Sequence, residues 1–241
     1  MNDAEKTKAE DIPTEEEIMS YLYTKSLTCP VCGKTFLSWL VRRSKLRQTK
    51  VDMDFRTSYK VINPSLYDVT LCNFCGYAAL SNYFDRITPK QQDLIKEKIT
   101  PEYKHVEHEV PLSPKDALAR YKQALACAQA INAKVSQKAI ICLRMAWIYR
   151  EANDEKNELA LIKIAYSGLK EAFISENFPL GNMDEPTAKY MIAELGRRLG
   201  EFDDALRLIS DVVVAQGIPG TIKERAKELK ELVREKNSSL I

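Results

Sequence analysis

Two copies of one five-residue motif constrain this chain more than any other feature. They are Cys29-Pro30-Val31-Cys32-Gly33 and Cys72-Asn73-Phe74-Cys75-Gly76. Two residues between a pair of sulfurs let both point at one ion. The glycine that follows removes a Cβ where the chain turns back, and that turn aims backbone N–H groups at the thiolates. Two such turns supply Cys29, Cys32, Cys72 and Cys75, the ligand set of a closed tetrahedral zinc site. Iron uses the same four thiolates and stays open as the alternative metal. A redox dithiol needs only one such pair, beside a βαβ pattern that the sequence does not show. No apolar h-region stands between Met1 and Glu17, so an export signal and a disulfide framework are not expected. A reducing, cytoplasmic setting is the expectation. With all four positions filled by protein, the metal should be structural rather than catalytic.

Charge is unevenly distributed around these motifs. The whole chain carries 36 basic and 34 acidic side chains, net +2, which argues against a strongly basic polyanion binder. Residues 21–87, however, hold ten basic groups against four acidic ones, net +6, behind an acidic leader over residues 1–20 of net −5. Within the basic block, Arg42, Arg43, Lys45, Arg47 and Lys50 fall inside nine residues and are the candidate phosphate-binding set. A solvated hairpin with basic residues on its exposed face explains the same pattern and is the commoner outcome. Any phosphate-binding role is expected within residues 34–60, beside the metal.

Thirty-nine residues separate Cys32 from Cys72, long enough to need structure of their own. Val51, Met53 and Phe55 alternate with Asp52, Asp54 and Arg56, and Tyr59 to Ile62 continues a β-rich run. Asn63-Pro64-Ser65 reads as a turn, and Tyr67, Val69 and Leu71 alternate into the second motif. One small antiparallel sheet clamped by the metal is therefore expected. From about Tyr77 the period becomes helical. Thr88-Pro89 and Ser113-Pro114 are helix starts. A helix over 89–99 is followed by six more, near 114–132, 135–152, 155–176, 186–199, 202–216 and 220–236.

Those helices carry an internal echo. Ala117, Tyr121, Ala124 and Leu125 share a spacing with Ala160, Ile164 and Ser167, and with Ala205, Ile209 and Val212. Together with Leu199-Gly200-Glu201-Phe202, this resembles irregular tetratricopeptide repeats, with a plain helical bundle as the alternative. The fold class is thus α+β, mainly α: a leader (1–20), a zinc-ribbon-like module with a basic β insert (21–87), a helix and linker (88–112) and tetratricopeptide-like hairpins (113–241). Cys127 and Cys142 are expected as small buried hydrophobes. His105 and His108, beside Glu107 and Glu109, are expected as a solvated pair. Glu194, Arg197 and Arg198 would line a repeat groove or form helix-surface pairs.

No run approaches the ~20 apolar residues of a membrane span. There is no G-x-S-x-G, P-loop, G-x-G-x-x-G or H-E-x-x-H. An enzyme working through carboxylates or tyrosine alone would leave no such mark. The expectation is a non-catalytic adaptor with a protein partner, and the second reading is a nucleic-acid-binding module.

The two cysteine motifs, Ser44-Lys45-Leu46-Arg47, Asn63-Pro64, Tyr67-Asp68-Val69, Tyr77-Ala78-Ala79, Glu194-Leu195 and Arg197-Arg198-Leu199-Gly200 together resemble the bacterial family called domain of unknown function 2225, over about residues 21–216. The resemblance implies this fold and metal binding, and implies no established activity.

Overall fold

The computed structural model describes residues 13–106 and 108–238. The first twelve residues of the acidic leader lie outside them. Its remainder forms α1 (Glu15–Ser20), where the Thr14 hydroxyl accepts from the Glu17 N–H at 3.2 Å and three glutamates fill the positive first turn.

Three antiparallel two-stranded ribbons follow instead of the single sheet expected. The first pairs β1 (Leu22–Thr28) with β2 (Thr35–Val41), in register from Leu22↔Val41 to Thr28↔Thr35. The second pairs β3 (Gln48–Val51) with β4 (Thr57–Tyr59). The third pairs β5 (Val69–Leu71) with β6 (Ala78–Leu80). The alternation through Val51, Met53 and Phe55 is not one strand. The chain reverses over residues 52–56, with Phe55 at φ 63° and the Asp52 N–H bonded to Arg56 O at 2.8 Å. Both faces of that turn meet helices, so its alternation serves a docked loop rather than a pleat. Residues 78–80 are likewise strand and not helix. β5 falls in the alternating stretch expected as strand, whereas β6 is buried on both faces, which erases the two-residue period that would have revealed it.

The helices follow their caps closely. They are α2 (Pro89–Lys98), α3 (Pro114–Ala130), α4 (Val135–Glu151), α5 (Glu155–Ser175), α6 (Glu185–Leu199), α7 (Phe202–Val214) and α8 (Gly220–Ser238). Thr88 and Gln91 make a reciprocal capping box, Ser113 and Asp184 cap α3 and α6, and Gly200 ends α6 at φ 83°. The chain is α+β and mainly α. Among the described residues, no helix is long and apolar enough to cross a membrane.

Two apolar clusters organise the chain, and α4 belongs to both. Ile141, Met145 and Ile148 face a core shared with the cysteines, β5, β6 and α3. Ala139, Cys142, Leu143, Ala146 and Trp147 face a core shared with α5 to α8. Such an all-round apolar helix must sit at the centre. The repeated spacing holds in part only. Ala117, Tyr121 and Ala124 in α3, and Ala205, Ile209 and Val212 in α7, are buried. Ala160, Ile164 and Ser167 are on the exposed side of α5, where Ile162, Ala165 and Leu169 form the buried stripe instead.

Candidate functional site

The first and third ribbons bring the four cysteines together. Each motif turns back in the same way. Gly33 N–H donates to Cys29 O at 2.9 Å and Gly76 N–H to Cys72 O at 3.0 Å, with the glycines at φ 71° and 74°. The four sulfurs all lie within 4.8 Å of one another. A tetrahedron with metal–sulfur bonds of about 2.3 Å has ligand–ligand edges near ~3.8 Å. Cys29 Sγ–Cys75 Sγ is 3.6 Å and Cys32 Sγ–Cys72 Sγ is 3.7 Å, too long for disulfides and right for a shared ion. Hydrogen bonds from Cys29 and Cys75 hold the Cys72 thiol well below its ordinary range. The bond to Cys72 pushes the Cys29 thiol up to about 12. Four thiols this close are a set that a bound cation would hold as thiolates.

The two motifs are held unequally. Nothing stands within 4 Å of a Cβ placed on Gly33, whereas one on Gly76 would meet the Tyr103 ring at 2.3 Å. Around the second motif, Thr100 Oγ1 donates to Cys75 O at 3.0 Å and Gln123 Nε2 to Gly76 O at 2.8 Å. Arg120 Nη2 donates to Val69 O at 2.8 Å. Cys127, a buried thiol raised to about 11 by burial, accepts from the Ala78 N–H at 3.4 Å and takes no place in the sulfur cluster. Cys142 is a buried thiol of the second core.

Of the two histidines expected as a solvated pair, His105 is exposed and His108 is not. His105 Nδ1 is 3.2 Å from Asn73 O in the second motif, and the largely buried His108 is 3.1 Å from Asp116 Oδ1. Glu107 lies outside the described residues.

The five basic residues separate. Arg42 lies over the Tyr23 ring at 5.1 Å, and Arg43 reaches Asp68 at 3.6 Å. Lys45 Nζ donates to Ser20 O at 3.0 Å and Arg47 to its neighbour's carbonyl, Leu46 O, while Lys50 pairs with Asp52 at 2.9 Å. Nor is the block beside the sulfur cluster. Arg42 and Arg43 follow the end of β2 furthest from the cysteines, seven residues or about 20 Å along the ribbon. There they border a cleft of about 550 Å³ with Tyr23, Ser44, Tyr67 and Asp68.

A second cluster joins the turn at residues 52–56 to the helices. Asp54, 1% exposed, accepts from Trp147 Nε1 at 2.9 Å and from Arg150 Nη1 and Nη2 at 3.0 and 2.5 Å. Asp52 accepts from Arg150 Nη1 at 2.9 Å and Arg56 Nη1 at 3.2 Å. Burial raises its carboxyl, but Lys50, Arg150 and Arg56 outweigh that and hold it down to about 2. Arg150 Nε also meets Glu158 at 2.5 Å, as does Arg198 Nη1 at 2.7 Å. Main-chain atoms of the turn are held too: Tyr190 Oη donates to Met53 O at 2.8 Å, and Arg225 Nη1 to Asp52 O at 3.1 Å. Phe55 packs on Tyr190 with centroids 5.2 Å apart, under Arg225. Glu194, expected near a surface, is 2% exposed and bound by Arg197 at 2.7 and 2.8 Å, while Arg198 turns inward. The sequence reading missed Asp52, Asp54, Trp147, Arg150, Glu158, Tyr190 and Arg225. The available signal was two acids flanking a methionine inside an otherwise basic block.

These features define an α+β protein whose N-terminal ribbons carry a four-cysteine, metal-ready cluster clamped against a helical stack. Residues 22–233 match the family model described as "Uncharacterized protein conserved in bacteria (DUF2225)", and the chain belongs to that family. No curated protein and no solved structure matches it.

Proposed function

We propose that the chain is a non-catalytic, cytoplasmic adaptor of bacteria, with a structural zinc ion on Cys29, Cys32, Cys72 and Cys75 and a tetratricopeptide-like helical face that receives a protein partner. The observation that carries the reading is the second cluster. Side chains of α4, α6 and α8 hold an irregular segment by its main-chain carbonyls, its carboxylates and its one aromatic ring. Alternate helices presenting one continuous face is how helical-repeat proteins bind extended segments. The metal supports this reading from a distance. Four protein thiolates leave no open position for substrate, so the ion ties ribbon to ribbon. Affinity purification of the tagged chain with nuclease treatment tests the function. Partners that survive nuclease support an adaptor, and partners lost with it do not. Elemental analysis should give about one zinc per chain, and a visible absorption band would assign iron instead.

The Arg42–Tyr23 stack beside the 550 Å³ cleft favours one second reading, nucleic-acid binding through phosphate contacts and a stacked base. It expects salt-sensitive binding in fluorescence anisotropy that weakens on changing Arg42 and Arg43 to Ala. No binding at low salt would remove it.

A further inference from the structure

Residues 52–56 sit on the helical face as a ligand sits on a receptor. The buried members of the second core are residues of α4 to α8, whereas Met53 and Phe55 only pack against its edge. The helices therefore keep their core whether or not the turn is docked. The β3–β4 ribbon that presents the turn has exposed or half-buried residues throughout, and a lone two-stranded ribbon is marginal by itself. The hydrogen bonds and ion pairs described between it and the helices come from its tip, residues 52–56. Phe55 is held at φ 63°, a left-handed conformation disfavoured for a bulky side chain, and undocking releases that strain.

The receptor side is specific. Trp147 N–H and Arg150 from α4, Tyr190 and Arg198 from α6, and Arg225 from α8 all offer donors, and three of the five are cations. Glu158 answers one of those charges. Asp52 and Asp54 both answer Arg150, while Arg225 meets the turn through the Asp52 main-chain carbonyl and the Phe55 ring. The turn does not use everything on offer. Arg198 Nη1 stands 3.7 Å from Asp54 Oδ2 and makes no aligned hydrogen bond.

We infer that this face is a docking site for an acidic Asp-x-Asp-aromatic segment of a protein partner, and that the chain's own residues 52–56 cover it until such a segment displaces them. The inference rests on the adaptor reading and names the partner's chemistry. Charge complementarity selects a doubly acidic segment, the Tyr190 and Arg225 pair selects a ring after it, and the main-chain contacts tolerate the residue between.

The probe is a dye-labelled peptide with the sequence of residues 48–60, titrated into the full-length metal-loaded chain by fluorescence anisotropy. The wild type should bind it weakly. A variant carrying Asp52→Ser, Asp54→Ser and Phe55→Gly should bind at least ~10-fold more tightly, because it no longer covers its own site. Arg150→Met in that background should abolish the gain, and a peptide with both aspartates changed to lysine should not bind. A folded triple variant that binds no better than wild type overturns the inference. Should the triple variant fail to fold, hydrogen exchange of segment 48–59 in the wild type decides. Faster exchange on adding excess peptide supports displacement, and unchanged exchange overturns it. Tighter binding accompanied by dimers of the chain would make a second copy the occupant and overturn the separate partner. A chain that captures nuclease-resistant proteins yet never binds the peptide overturns this assignment alone and leaves the adaptor reading standing.

Discussion

Two clusters tie the ribbons of this protein together and to its helices, and they are built on opposite principles. The sulfur cluster draws four like ligands from two short motifs, and each motif folds on itself through a glycine turn. The ion cluster draws unlike groups from a turn and from four helices, with Arg150 facing Asp52, Asp54 and Glu158 at once. The first has the geometry to take an added cation among its sulfurs. The second balances its charge internally, by matching guanidinium groups to carboxylates. The lesson is that a joint can be made by local geometry plus a metal, or by distant geometry alone, and the two should fail under different insults.

Removing one sulfur is the hardest blow. Cys72→Ser should abolish stoichiometric metal and the cooperative melting of the ribbons, since structural metal binding is folding energy, about 10–16 kcal/mol in small zinc peptides. Elemental analysis with thermal unfolding checks both. A chelator should reproduce the effect and leave the ion cluster's own variants additive with it. Next is Arg150→Met, which takes the nearest cation from Asp54 and leaves Glu158 with Arg198 alone, both in a buried site, and should cost about 3–5 kcal/mol in urea unfolding. A double-mutant cycle with Asp54→Leu should recover much of that loss. If it recovers none, the cluster is not one coupled unit.

The two motifs give a finer contrast. Gly33→Ala incurs only the strain of its left-handed backbone, about 1–2 kcal/mol. Gly76→Ala adds a clash with the Tyr103 ring, and should cost about 1–3 kcal/mol more. Equal losses would mean that Tyr103 yields freely. The smallest effect concerns acid. Asp52 is held down to about 2 in the fold against 3.8 ordinarily, so its contribution is complete above pH ~4 and disappears as pH falls towards 2. Asp52→Asn should flatten that part of the stability–pH curve, while the wild type loses stability across it.

Legibility followed the same divide. The cysteines and helices α2 to α8 could be read directly, because Cys-x-x-Cys-Gly and a capped amphipathic helix are local patterns. β5 could be read from the alternation of Tyr67, Val69 and Leu71, whereas β6 falls beyond Tyr77 where a helix is expected, since its fully buried residues carry no alternation. The turn at residues 52–56 was read as strand because Met53 and Phe55 do alternate with acids, though for a different reason. The ion cluster could not be read at all. Its Asp54 and Arg150 are 96 residues apart, and only tertiary packing makes them neighbours. The repeat echo failed in α5 because Ile164 matches the spacing and yet faces outwards.

The reach from Asp52 to Arg225 also has a consequence in time. The two are separated by 173 residues. At a synthesis rate of about 5–20 residues per second, roughly 9–35 s pass between the appearance of the first and the second. All four cysteines have left the peptidyl-transfer centre soon after Asp52, so the sulfur cluster can close early, before α4 to α8 have been made. The acidic turn is translated early, and the growing chain carries it uncovered until the helices that receive it have followed.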